Sequence, residues 1–148
     1  MNVDMMLEWA AALESGEYKQ GQGKLHNLAE NSHDVVSSCC LGVACLIFAD
    51  RVDIVREGDS WLWSDHGSTE HALPTPLYEL MYGSMGSKQV RLQGRLRIPD
   101  HLLEEHDLND LTRAIDPAFL NDSFRCSFEE IAECIRYTVE KYLEETNG

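Results

Sequence analysis

The hydrophobic pattern of the chain is centred on Ser37–Asp50, the run SSCCLGVACLIFAD, the most apolar block, with polar segments on both sides. Cys40, Val43, Ala44, Ile47 and Phe48 fall at i, i+3, i+4, i+7 and i+8, the stripe of a helix that buries one face. Leu41 and Cys45 lie off that stripe and are apolar too, so a central core helix covered on more than one side is expected. Ser37 and Ser38 are the expected caps, since a hydroxyl can accept a bond from a free N–H of the first turn. Gly42 costs about 1 kcal/mol against alanine inside a helix. Its place there predicts either a second backbone packed closely or a helix that starts after it. The block is too short to cross a bilayer, which takes ~20 apolar residues.

The flanking segments read as helices and short strands. Met6, Trp9, Ala10 and Leu13 give an amphipathic helix with Asp4 as its cap and Gly16 at its left-handed end. Glu17–His26 reads as a turn and short strand, and Asn27–Asp34 as a polar loop. Strands over Asp53–Arg56 and Ser60–Ser64, joined by Glu57-Gly58-Asp59, form an expected hairpin. Asp65–Ala72 reads as a polar loop carrying His66 and His71. Thr75-Pro76 opens a short helix with Leu77, Leu80 and Met81 on its face and Gly83 at its end. Val90 and Leu92, then Leu96 and Ile98, alternate with polar residues about Gly94, as in a hairpin or one bulged strand. Pro99-Asp100 begins a helical region through Leu102, Leu103, Leu108, Leu111 and Ile115. The last helix starts at a capping box, Ser127 with Glu130, with Cys126 and Ile131 as a hydrophobic staple. Phe128, Ile131, Ala132, Ile135, Val139 and Tyr142 carry its apolar face. The expected architecture is α+β, a single domain over residues 1–148 with helices packed around a small antiparallel sheet.

Charge changes the picture most. The formal net charge is −14, and from Asp100 onward there are 13 acidic residues against 4 basic ones. Such a surface repels nucleic acid and anionic membranes, so neither is an expected partner. No basic start leads into an apolar run, which sets a cytoplasmic protein as the expectation. Five cysteines, two of them adjacent, argue against a disulfide framework and for reduced, buried thiols.

Candidate chemistry is thin. Gly21 and Gly23 do not make a phosphate loop, because Gly23-Lys24 is followed by Leu25 and no strand pattern precedes it. The cysteine spacings lack the close pairs of a structural zinc site. His66 with His71, and His101 with His106, stand at i, i+5 and do not share a helical face, so no metal and no cofactor is expected. Cys39 or Cys40 could serve as a nucleophile only if activated, and their apolar neighbours argue for burial instead. Asn121-Asp122 reads as a turn. Neither Asp107–Asp110 nor Asp116–Asp122 matches a calcium loop. The last helix carries Glu129, Glu133, Glu140 and Glu144 along one face with Arg136 as the only cation among them. Like charges at i, i+4 are unfavourable, which makes this face a candidate contact for a basic partner. A second candidate is a ligand pocket near Trp61, Trp63, His66 and His71.

Four blocks, LESGEYKQGQGKL at Leu13–Leu25, CCLGVAC at Cys39–Cys45, LPTPLYELMYG at Leu73–Gly83 and LNDSFRCSFEEIAECI at Leu120–Ile135, resemble successive blocks of a family of small phage and prophage proteins described mainly as hypothetical. The chain departs from that pattern at Ser123–Cys126. The resemblance implies a phage or mobile-element origin and the cytoplasm of a bacterial host, and no activity. The leading functional expectation is a non-enzymatic protein that binds a protein with a basic surface. An inhibitor of a host nucleic-acid-binding or defence system, with an anti-CRISPR-like, DNA-mimicking surface, is one instance. The alternatives are a small-ligand binder or enzyme at the Trp–His region and a phage accessory protein without an inhibitory role.

Overall fold

Helix α1, Val3–Glu14, opens the fold, and its start is set by Asn2, whose side chain accepts the Met5 N–H at 3.2 Å. Asp4, the expected cap, stands inside the first turn instead. Met5, Met6, Trp9, Ala10 and Leu13 are buried, and Gly16 takes φ +78° just beyond the end. The computed structural model describes residues 1–64, 66–83, 95–108 and 114–147. The expected strand at Val90 and Leu92, with Gly94 and Leu111, lies outside them.

Strand β1, His26–Leu28, pairs antiparallel with β2, Val35–Ser38, with His26 opposite Ser38. The stretch expected as a loop therefore contributes a strand at its start, and Ser37 and Ser38 are strand residues, not caps. Helix α2 runs from Cys40 to Phe48 with Cys39 at its N-cap, and Cys39 makes no side-chain capping bond. A single 3-10 turn, Ala49–Arg51, follows. Every residue from Cys40 to Cys45 is buried, as the off-stripe apolar positions predicted.

Strands β3, Ile54–Glu57, and β4, Ser60–Trp63, pair with Glu57 opposite Ser60, so the link is the two residues Gly58-Asp59, with Gly58 at φ +62°. A third strand, β5, Gly67–Thr69, extends this sheet beside β4 where a polar loop was expected. Its residues are polar because it is an edge strand, and Gly67 is required because a side chain there would collide with the Trp63 indole.

Helix α3, Thr75–Tyr82, follows, with Pro74 at its N-cap and Gly83 closing it at φ +95°. Leu77, Met81 and Tyr82 are buried, whereas Leu80, expected on the buried face, is exposed. Strand β6, Leu96–Arg97, pairs with β7, Ala114–Ile115, so Ile115 belongs to a strand and not to the helical run. Between them lies helix α4, Asp100–Glu105. Helix α5, Pro117–Asp122, is capped by the Asp116 side chain, which accepts the Ala118 N–H. Helix α6, Phe128–Asn147, is the longest. The fold is α+β, with three small antiparallel sheets among the described residues. Helices α1, α2, α3 and α6 share one core, into which Trp9, Phe48, Leu77, Ile131 and Ile135 are fully buried. Among the described residues no helix is long and apolar enough to cross a membrane.

Candidate functional site: an acidic helix and a His–Cys–Glu cluster

The start of α6 is built as its sequence predicts. The Glu130 N–H donates to Ser127 Oγ at 3.1 Å, and the Ser127 N–H donates to Glu130 Oε1 at 2.9 Å. Cys126 and Ile131, the staple pair, are both buried. This box leaves Glu130 Oε2 facing outward, where it meets His106 Nε2 at 2.6 Å. His106 is held in place by the end of α4. There the Leu108 N–H reaches Leu103 O at 2.8 Å and the Asp107 N–H reaches Glu104 O at 3.2 Å. Asp107 sits at φ +54° in the position usually given to glycine. Cys126 Sγ completes a group of three whose ligand-type atoms all lie within 4.8 Å of one another. His106 and Glu130 keep 20% and 22% of their side chains exposed, and Cys126 is buried.

The electrostatics of the group follow from this placement. Partial burial pushes the Glu130 carboxyl up, but the Ser127 N–H and His106 outweigh it and hold it below the usual range. Burial, then the nearby Glu130 and Glu105 carboxylates, push the Cys126 thiol up to about 11. No close-pair spacing announces the cluster, because its members come from two segments 20 residues apart.

The acidic face of α6 divides into two kinds of residue. Glu129 and Glu140 are exposed and make no ion pair among the described residues. Glu133 is half-buried and pairs with His101 of α4 at 2.7 Å, and Glu144 pairs with Lys141 at 3.2 Å. Both keep about half of their side chains in solvent, 46% and 56%. Arg136, the cation among them in sequence, is turned away to a two-pronged contact with Glu14 of α1 at 2.9 and 3.0 Å. Helix α4 lies alongside and adds exposed Glu104 and Glu105.

The four residues of the Trp–His region are differently placed. Trp61 is 4% exposed, and its indole N–H donates to Nε2 of the buried His26 at 2.8 Å. Trp63 is half-buried over Gly67. His66 is exposed at φ +61°. His71 is exposed, with Nδ1 2.9 Å from Gly23 O and Nε2 3.4 Å from Glu70. A cavity of about 300 Å³ opens elsewhere, between Met1, Tyr82, Arg95, Arg97, Tyr142 and Glu145, and none of the four lines it.

The cysteines are all free and buried. Burial pushes Cys39 up to about 11 and Cys134 up to about 12, and it raises Cys40 and Cys45 as well. Thiols held protonated in this way are poor nucleophiles.

Neither a curated protein nor a solved structure matches the chain. Residues 1–139 match the model of a Domain of unknown function (DUF8296), and the chain belongs to that family.

Proposed function

We propose that this protein acts by binding another protein that presents a basic surface, and that the acidic face of α6 is the contact. The observation that carries the reading is the state of Glu129, Glu133, Glu140 and Glu144. Two are exposed without an ion pair among the described residues, and the other two keep about half of their side chains in water. Arg136 is drawn off to Glu14, so it does not neutralise the row. Glutamates four apart on a helix have Cβ atoms about 6 Å from one another, and the seven-residue step from Glu133 to Glu140 spans about 10 Å. The face therefore carries two pairs of negative charge suited to a groove that otherwise takes phosphates. The net charge of −14 extends the same field over the surface and steers a cationic partner.

The same reading makes this a phage-type protein working in the cytoplasm of a bacterial host. Inhibition of a nucleic-acid-binding or defence protein is the concrete form it takes, through a surface that stands in for DNA. It rests on the charge row and on the block resemblance together.

The test is affinity capture from a bacterial lysate with the native chain and with a chain carrying Glu129→Lys, Glu133→Lys, Glu140→Lys and Glu144→Lys. A specific basic protein retained by the first, lost by the folded second, and released by salt supports the reading, since exposed charges are screened beyond ~8 Å at physiological ionic strength. Equal capture by both folded chains sinks the α6 face as the contact.

A further inference from the structure

We propose that His106 Nε2, Cys126 Sγ and a Glu130 carboxylate oxygen form a site for one divalent transition-metal ion of the zinc class. The three ligand-type atoms lie within 4.8 Å of one another. A tetrahedral ion with bonds of about 2.0–2.3 Å holds its ligands about 3.3–3.7 Å apart. Small side-chain rotations cover the difference: the His106–Glu130 pair opens from 2.6 Å, and the thiol moves inward. The backbone of all three is already anchored: His106 by the end of α4, Cys126 by its N–H donating to Leu120 O at 2.8 Å, and Glu130 by the capping box.

The donor set selects the metal. A sulfur and an imidazole nitrogen disfavour magnesium and calcium, which take oxygen ligands, and suit zinc or its first-row neighbours. One thiolate and one carboxylate balance a charge of +2. Glu105, close enough to raise the Cys126 thiol, adds further negative potential. Glu130 can serve both functions at once, since Oε1 stays on the Ser127 N–H while Oε2 is free to leave His106 for the ion. The solvent-facing fifth of the His106 and Glu130 side chains provides the entry path, with Cys126 as the buried floor. Three protein ligands leave one position for water, the arrangement of an open zinc site and not a closed structural one.

Binding involves no redox change. The metal–sulfur bond forms as the S–H bond of Cys126 breaks, and the thiol proton passes to solvent. A proton on His106, where present, leaves in the same way. Affinity therefore rises with pH.

The test uses the full chain, reduced and freed of metal with a chelator that is then removed. It is titrated with zinc against a chromophoric competitor and, separately, with cobalt(II). The expected result is one ion per chain and a thiolate-to-cobalt charge-transfer band in the near ultraviolet. Cys126→Ser abolishes that band, and His106→Gln and Glu130→Gln each weaken binding by about 100-fold or more, beyond the ~10–100-fold typical of losing an outer partner of a metal ligand. Glutamine at 130 preserves the capping bond, so this variant stays informative if Cys126→Ser fails to fold. His101→Gln, which breaks the neighbouring His–Glu pair, leaves binding unchanged. The proposal is overturned by absence of saturable binding to the native chain, by binding that survives in folded His106→Gln and Glu130→Gln, or by equal loss in His101→Gln.

Discussion

The side-chain oxygen of Asn121 accepts the backbone N–H of Cys40 at 3.2 Å, so the central helix α2 is capped by a residue 81 positions downstream. The same oxygen accepts from Gln20 Nε2 at 2.9 Å, and the Asn121 amide donates to Gly21 O at 2.8 Å and to Asp122 at 2.7 Å. One fully buried asparagine thus ties the start of α2 to the Gln20–Gly23 segment and to the end of α5. Each buried polar group left without a partner costs ~1–3 kcal/mol, and Asn121→Ala strands at least two, so a loss of about 3 kcal/mol or more is expected. Urea melts of the two chains measure it. A loss under about 1 kcal/mol would show that water or a neighbour takes over these bonds.

That link also marks the limit of what the sequence discloses. The helices α1, α2 and α6 and the β3–β4 hairpin are legible because their signals are local: apolar spacing, a glycine turn, a capping box. Asn121-Asp122 has the composition of a turn, and its role as a cap for Cys40 exists only once the chain is folded. Ser37 and Ser38 carried the local signal for that cap, yet pairing of β2 with β1 places them in a strand and puts Cys39 at the helix start. Strand β5 was illegible for another reason. An edge strand of three polar residues has no buried face to create alternation. The His106–Cys126–Glu130 group lies between these cases: Glu130 reads locally as a capping residue, and its second oxygen is aimed by tertiary packing.

Gly42 should not tolerate alanine, although alanine is the better helix former by about 1 kcal/mol. A side chain at 42 would collide with the carbonyl of Leu25, which is fixed by the Cys39 N–H at 3.1 Å, and would press on the ring of His26. Backbone cannot yield as a flexible side chain can, so overpacking of ~1–3 kcal/mol outweighs the propensity gain. Gly42→Ala is expected to lower stability. A variant more stable than the native chain would show that the β1 segment shifts freely.

Ile131→Ala and Ile135→Ala each empty a fully buried site where α6 meets the core. Each should cost ~2–5 kcal/mol, the range for removing a buried aliphatic side chain. Denaturant melts with less than about 1 kcal/mol lost in both would make α6 peripheral.

All five thiols should be free in reductant-free, unfolded protein, and slow to react in the native state. Burial raises every one of them, so little thiolate is present at neutral pH. The measurement is titration with a thiol reagent, with and without denaturant. One thiol reacting natively as fast as it does in denaturant would contradict the burial of that cysteine. Fewer than five after unfolding would reveal a disulfide.

The buried imidazole of His26 should make the protein sensitive to mild acid. An indole N–H can only donate, so Nε2 accepts from Trp61, and Nδ1 carries the proton and faces Ser38 Oγ at 2.8 Å. A second proton must go to Nε2, where it breaks the Trp61 bond and places a charge in a site with no exposure. Burial, then the Arg56 guanidinium, lowers this histidine to about 4 from its ordinary 6.5. The unfolded chain therefore binds the proton first. The stability due to neutral His26 is complete above about pH 6.5 and is lost as pH falls towards 4, by about 3 kcal/mol in all. Carboxylates change stability over the same range, so the contrast with His26→Gln isolates the effect. Glutamine can accept from Trp61 and has no such titration. Urea melts at pH 7.5 and pH 4.5 should show a smaller acid loss in His26→Gln than in the native chain, even if the variant is weaker at both. An equal loss in both chains would mean that His26 takes up its proton in the folded state without breaking the Trp61 contact.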